Sequence, residues 1–173
     1  MNFIFLAPHP CRLDEATLLN QCRLHFTRRG GPGGQHRNKV DSAVVITHEP
    51  TQVIAEANER RDQSQNRRVA INRLRRQLAW LVRTTTAGPV EISVLWRIRC
   101  IEKPADVSVE HWDYPTLIAE AFDQIVACQW ELSTAAKHLG VSTARLAKLL
   151  RADRLTLEWT NRQRAIHSFP PIR

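Results

Sequence analysis

Gly30-Gly31-Pro32-Gly33-Gly34 runs directly into Gln35-His36-Arg37-Asn38-Lys39, and four of the six glycines of this 173-residue chain stand in that one stretch. No reactive side chain precedes Gln35. Chemistry here must come from backbone N–H groups, which glycine lets approach a ligand closely, and from one amide. Three familiar glycine-loop chemistries do not fit. A phosphate-cradling P-loop needs Gly-x-x-x-x-Gly-Lys-Ser/Thr, and Lys39 falls at the wrong distance. A dinucleotide loop needs Gly-x-Gly-x-x-Gly within a βαβ unit and an acidic residue on a second parallel strand. A nucleophile elbow needs Gly-x-Ser-x-Gly, and the serine is absent.

The elements around the loop follow from periodicity. Asp14 caps a short helix to Gln21 with Leu18 and Leu19 inward. Residues 22–27 alternate as a half-buried strand, 36–42 supply one or two helical turns, and 43–48 are β-branched and extended. Glu49-Pro50-Thr51 turns the chain into a returning strand over 52–57. One long helix over 62–83 carries an apolar stripe of Val69, Ile71, Leu74, Leu78, Leu81 and Val82. Its other face holds Arg67, Arg68, Arg73, Arg75 and Arg76. Thr84–Pro89 breaks the pattern. Val90, Ile92, Val94, Trp96, Ile98 and Cys100 then alternate, as in an added strand or an extended linker. The remainder reads as helices over 115–129, 133–140, 143–151 and from Asp153 through 164.

Charge points to an anionic partner. The net charge is +8, and residues 1–88 hold 14 Lys+Arg against 7 Asp+Glu, a net of +7. Nucleic acid suits such a half, although a solvated basic surface has the same composition. Cys11, Cys22, Cys100 and Cys128 have neither CxxC nor zinc-ligand spacing, so reduced thiols and no metal are expected. The apolar opening residues lack a basic leader segment, and no run of about 18 apolar residues exists. A cytoplasmic protein with no membrane partner follows.

Gly31-Pro32-Gly33-Gly34-Gln35-His36-x-Asn38-Lys39-Val40-Asp41-Ser42-Ala43-Val44 resembles the signature of the class I peptide-chain release factors and the single-domain ribosome-rescue peptidyl-tRNA hydrolases. The likeness continues through Thr47-His48-x-Pro50-Thr51 and Glu59-Arg60-x-x-x-Gln63-x-x-Asn66-Arg67, covering about residues 13–83. Arg28-Arg29-Gly30 replaces the usual small polar residues before Gly-Pro, and Gln52 replaces a turn glycine. The resemblance implies water attack on the ester joining a nascent peptide to tRNA. The Gln35 backbone N–H would face the developing oxyanion, Gly33 and Gly34 would shape the backbone, and the Gln35 amide would shape the water site. His36 is better read as a polar helix start or an RNA contact than as a chemical participant. Arg28, Arg29, Arg37 and Lys39 would touch ribosomal RNA or tRNA phosphate. Arg67, Arg68, Arg75 and Arg76 would do the same or form a solvated face. No cofactor is implied, and the partners are the ribosome and peptidyl-tRNA.

Two features modify that expectation. No segment has room for a codon-reading domain, which points to codon-independent release from stalled ribosomes by a monomer. The long Lys/Arg-rich tail of the known rescue hydrolase is also missing. Instead, Ala135-Ala136-Lys137-x-Leu139-Gly140-Val141-Ser142-x-x-x-Leu146-x-x-Leu149 resembles a helix-turn-helix, with Thr143, Ala144, Arg145 and Lys148 outward. The alternative function is therefore a nucleic-acid-binding or ribosome-associated factor with a non-catalytic loop. The expected fold is α+β: a release-factor-like domain over 1–88 with a small mixed sheet, the long helix and a projecting, poorly ordered glycine loop. A linker or added strand over 89–112 and a helical module over 113–173 complete it.

Overall fold

The computed structural model describes residues 4–27, 42–84, 91–102 and 106–173. Its fold is α+β, and the described residues form two compact units: Arg12–Leu78, and Met1–Cys11 together with Ala79–Arg173.

The Arg12–Leu78 unit is built on three antiparallel strands in the order β2-β3-β4: β2 (Cys22–Thr27), β3 (Ala43–His48) and β4 (Val53–Ala57). Before them comes α1 (Glu15–Asn20), capped as expected by the Asp14 carboxylate, which accepts from the Thr17 N–H at 3.0 Å. Val44 and Ile46 on β3, and Val53, Ala55 and Ala57 on β4, are buried at the period of two that a one-sided sheet imposes. The long helix α2 (Gln63–Leu81) buries Ala70, Ile71, Leu74 and Leu78 at helical spacing. The chain passes from one unit to the other within α2.

The second unit begins with β1 (Ile4–Phe5), which pairs in parallel with β5 (Val82–Arg83). The sheet structure is therefore a three-stranded antiparallel sheet and a separate two-stranded parallel one. Among the described residues five α-helices follow: α3 (Val94–Trp96), α4 (Asp113–Ala127), α5 (Leu132–His138), α6 (Thr143–Arg151) and α7 (Arg154–Ile166). Helix α4 is buried along most of its length, as a central helix must be. No described helix is long and apolar enough to cross a membrane.

The extended reading of the 90–101 segment is corrected. Val94–Trp96 is α-helical and Arg97–Glu102 continues it as a π-helix. The Ser93 hydroxyl caps it by accepting from the Trp96 N–H at 3.0 Å. Alternation misled because only part of the apolar set is used. Trp96 and Cys100, four apart, are buried, whereas Val94 and Ile98 are 71% and 44% exposed. The Trp96 indole N–H then donates to the Leu139 carbonyl at 2.9 Å, which fixes the segment within its unit.

The chain's end is tied down as well. Asn161 donates to the Ile172 carbonyl at 3.2 Å and accepts from the Ile172 N–H at 2.8 Å. Arg164 donates to the Trp130 and Pro170 carbonyls and lies over the Phe169 ring.

Arg83 is fully buried, beside Asp123 at 3.2 Å. It also donates to the Ala119 and Ala79 carbonyls and sits over the Phe122 ring. Burial lowers its pKa to about 10, against the opposing pull of Asp123. Removing one partner of such a pair strands the other charge in a dry interior. Asp123→Asn should therefore cost about 3–5 kcal/mol in urea unfolding. The double replacement Arg83→Met with Asp123→Leu should cost clearly less. Equal losses would mean that packing, not the stranded charge, sets the penalty.

Candidate functional site

β2 and β3 pair with Thr27 opposite Ala43, so residues 28–42 connect two adjacent strand ends of one hairpin. That connection contains Gly33, Gly34 and Gln35, and also Arg28, Arg29, Arg37 and Lys39. All seven lie outside the described residues, as do the helical turns expected over 36–42 except for Ser42, which is described and not helical. What the structure describes is the foundation under them.

That foundation is held by Asn66. Its amide nitrogen donates to the Ser42 carbonyl at 2.7 Å and to the Arg60 carbonyl at 2.9 Å. Its amide oxygen accepts from the Arg60 N–H at 2.9 Å. Asn66 is fully buried. Ser42 is the residue before β3, so one side chain fixes where the connection enters the sheet, relative to the turn that starts α2. That start is itself capped. The Asp62 carboxylate accepts from the Gln65 N–H and the Ser64 hydroxyl, which hold it below the usual carboxylate pKa range. Asn66 belongs to the sequence signature, but its role as the clamp was not legible there, because its partners are backbone groups remote in sequence.

The other end of β3 carries His48. Its Nδ1 lies 2.7 Å from the Thr51 hydroxyl and its Nε2 3.1 Å from the Gln21 amide oxygen. The neutral tautomer with Nε2–H donating to Gln21 and Nδ1 accepting from Thr51 satisfies both contacts. Burial pushes the His48 pKa below 6.5. The His48-x-Pro50-Thr51 part of the signature is thus a structural turn. It closes at Gln52, whose φ of 56° is the left-handed geometry for which glycine is the usual choice.

The arginines of α2 divide by burial. Arg67 and Arg68 are exposed, and Arg76 is half-buried. Arg73 donates to the Glu56 carbonyl and pairs with Glu59. Arg75 is only 2% exposed and donates to the Leu13 carbonyl at 2.8 Å. The expectation that Arg75 touches nucleic acid is corrected on that ground. A guanidinium already committed inside the protein cannot also meet a phosphate at the surface.

In the second unit, α5 and α6 are joined through Gly140 (φ 67°), and the Ser142 hydroxyl caps α6 by accepting from the Arg145 N–H at 3.2 Å. A Cβ on Gly140 would come within 3.1 Å of the Ile101 side chain. Thr143, Ala144 and Lys148 are exposed, and Arg145 is half-buried. Lys148 bonds Asp106 at 2.8 Å. Among the described residues no group of His, Cys, Asp and Glu could hold a metal. Burial raises the thiol pKa of Cys22 and Cys100 to about 11, so both are inert packing groups.

Residues 16–90 match the RF-1 domain family. Over 75 residues, 43% of this chain, the sequence is 37% identical to a mitochondrial peptide chain release factor 1-like protein of Rattus norvegicus, covering 20% of that protein. Over 100 residues, 58% of the chain, it is 32% identical to peptide chain release factor 1 of Kineococcus radiotolerans, covering 28% of that protein. Over 56 residues, 32% of the chain, it is 51% identical to peptide chain release factor 2 of Lactiplantibacillus plantarum, covering 15% of it. The chain therefore spans less than a third of the length of these relatives.

Two expectations follow from the geometry. Asn66→Asp keeps the shape but replaces two donors with carboxylate oxygens facing two carbonyls. It should destabilise the protein by about 2–4 kcal/mol in urea unfolding, as loss of several buried hydrogen bonds requires. An isosteric change of no effect would remove the clamp. For His48, the unfolded chain takes up a proton that the native state rejects. The His48 contribution to stability is thus complete above pH 6.5 and is lost as pH falls below that value toward the depressed native pKa. His48→Gln should flatten this part of the urea midpoint against pH curve. A curve identical to that of the natural protein would assign the acid sensitivity elsewhere.

Proposed function

We propose that the RF-1 domain carried by residues 16–90 hydrolyses peptidyl-tRNA on the ribosome without reading a codon, releasing the nascent chain from stalled ribosomes. The observation that carries this reading is the Gly33-Gly34-Gln35 tripeptide, standing in the connection between the paired ends Thr27 and Ala43. A connection anchored at both ends can project a backbone segment away from the sheet into a crowded site.

In this mechanism water attacks the ester carbonyl. The water oxygen bonds to the carbonyl carbon, the carbon–oxygen bond to the terminal ribose breaks, and the ribose hydroxyl leaves with a proton. Negative charge builds on the carbonyl oxygen in between. The Gln35 backbone N–H, preorganised by Gly33 and Gly34, donates to that oxygen, and one such donor contributes about 3–4 kcal/mol in comparable sites. The Gln35 side chain shapes the water's position. Ribosomal RNA completes the site, so the protein by itself is a poor hydrolase and needs no cofactor. Arg28, Arg29, Arg37 and Lys39 contact phosphates of ribosomal RNA or tRNA, joined by Arg67, Arg68 and Arg76 on α2. The protein acts as a monomer in the cytoplasm.

The test is release of labelled peptide from ribosomes halted at the end of a truncated message. Gly34→Ala should slow release by about 100-fold or more while leaving ribosome affinity near normal. A Cβ there disturbs the backbone that presents the Gln35 N–H and removes no charge. Parallel loss of binding and release would make the loop an anchor. Binding with no release by the natural protein would favour the alternative of a ribosome-associated factor with a non-catalytic loop.

A further inference from the structure

The arginines of the Arg12–Leu78 unit differ in what they have left to bind. Arg73 is committed to the Glu56 carbonyl and the Glu59 carboxylate, and Arg75 to the Leu13 carbonyl. Arg60, Arg61, Arg67 and Arg68 are exposed, and among the described residues none of the four forms an ion pair or a side-chain hydrogen bond. The two acids nearest to them in sequence already have partners. Glu59 pairs with Arg73, and the Asp62 carboxylate accepts from the Ser64 hydroxyl and the Gln65 N–H. Four available guanidiniums therefore stand within the nine positions 60–68.

Two features say what kind of anion they suit. The platform under them is fixed. The Arg60 N–H and carbonyl are both bonded to the side chain of Asn66, which is fully buried, so the backbone is held while the guanidinium reaches out. Arg67 and Arg68 ride on the capped start of α2. The second feature is composition. Asn58 to Arg68 is a run of eleven residues without one apolar or aromatic side chain. Single strands are gripped by stacking their bases on aromatic side chains, and this stretch has nothing to stack on. It can meet phosphates and sugar hydroxyls only, which is what an RNA double helix presents while its bases stay paired inside. We propose that Arg60, Arg61, Arg67 and Arg68 form a docking surface for the phosphate backbone of double-helical RNA, held without regard to sequence. Arg60 and Arg61 thereby join the contacts described above, and the kind of RNA is named. The inference deepens the release reading and rests on it only for the source of the duplex, ribosomal RNA or tRNA. Asn66 ties Arg60 to Ser42, so the surface adjoins the end of the glycine connection. The duplex contact sets affinity, and the connection sets the chemistry.

The first measurement uses the full chain without ribosomes. Two labelled RNA duplexes of unrelated sequence and about 16 base pairs, the span of a duplex-binding domain, are titrated by fluorescence anisotropy over a salt series. An oligouridylate of the same length is the single strand. The duplexes should bind alike within twofold and at least fivefold tighter than the single strand. Arg60→Ala with Arg61→Ala should lower the slope of log affinity against log salt by about 1.8, the loss of two duplex phosphate contacts. Arg97→Ala with Arg162→Ala, two exposed arginines of the second unit, should leave that slope unchanged. Single-strand binding as tight as duplex binding would overturn the proposal. So would a clear preference between the two duplex sequences, or a slope that the Arg60 and Arg61 changes do not move. The second measurement is release from ribosomes halted on a truncated message. The Arg60 and Arg61 double variant should need at least fivefold more protein for half-maximal release, with the maximal rate unchanged. Its loss of affinity for ribosomes stripped of tRNA would assign the duplex to ribosomal RNA, and a loss confined to tRNA-filled ribosomes would assign it to tRNA. Duplex binding by a protein that releases no peptide would leave this surface standing and remove the hydrolysis. Release without duplex preference would do the reverse.

Discussion

A guanidinium that has left water must find oxygens inside the protein, and Arg83 organises one unit around that requirement. Its three partners come from two helices: the Asp123 carboxylate and Ala119 carbonyl on α4, and the Ala79 carbonyl at the end of α2. Asp123 is drawn in further by the Thr84 hydroxyl at 2.6 Å. Arg83 itself pairs with Phe5 in the parallel strands, and its backbone carbonyl accepts from the Leu6 N–H. One buried charge thus fixes the exit of the long helix, the short sheet and the central helix together. Around it lies an aromatic cluster in which Phe122 and Trp130 both meet Trp159, with Trp80 stacked on Trp159 and donating to Thr156. These rings supply large apolar area and directed contacts at once. The ion pair is retained there because its hydrogen bonds are nearly all made by protein atoms, the condition under which a buried charge is tolerated.

The Arg12–Leu78 unit relies on neutral clamps instead. Asn66 and His48 stand near opposite ends of β3, and each satisfies polar groups that the turns leave behind. An amide suits the first position because it must donate to two carbonyls and accept from one N–H. Imidazole suits the second because a single neutral ring both donates and accepts. Neither side chain needs to touch a substrate to matter for the glycine connection. They define where its second end is attached and how the adjoining turns are held.

What the sequence made legible was periodic or local. The alternation of residues 22–27, the β-branched run 43–48, the spacing of Ile71, Leu74 and Leu78, and the cap Asp14 all correspond to described elements, because each depends on neighbours a few positions away. The 90–101 segment was misread for a physical reason. Two residues four apart, Trp96 and Cys100, enter the core, while Ile98 between them and Val94 before them are exposed, so hydrophobicity alone carried the wrong period. Arg75 looked like one of a row of surface cations because its buried acceptor, the Leu13 carbonyl, lies far away in sequence. The grouping of Met1–Cys11 with the helical unit also left no local trace, because it rests on pairing with Val82 and Arg83.

That last grouping bears on how the chain is made. Ile4 and Phe5 leave a synthesising ribosome ahead of the Arg12–Leu78 unit, yet their partners emerge only after the whole of it. His9, which bonds the Val82 carbonyl, waits across 73 positions. Closing so long a span carries an entropic cost that nearby contacts do not. The Arg12–Leu78 unit, continuous in the chain, has all its residues available before the helical unit, which must gather two separate pieces. The interval before β1 meets β5 is the one in which its unpaired backbone is most open to wrong partners. Synthesis from one end thus gives the two units different vulnerabilities, although both belong to one polypeptide.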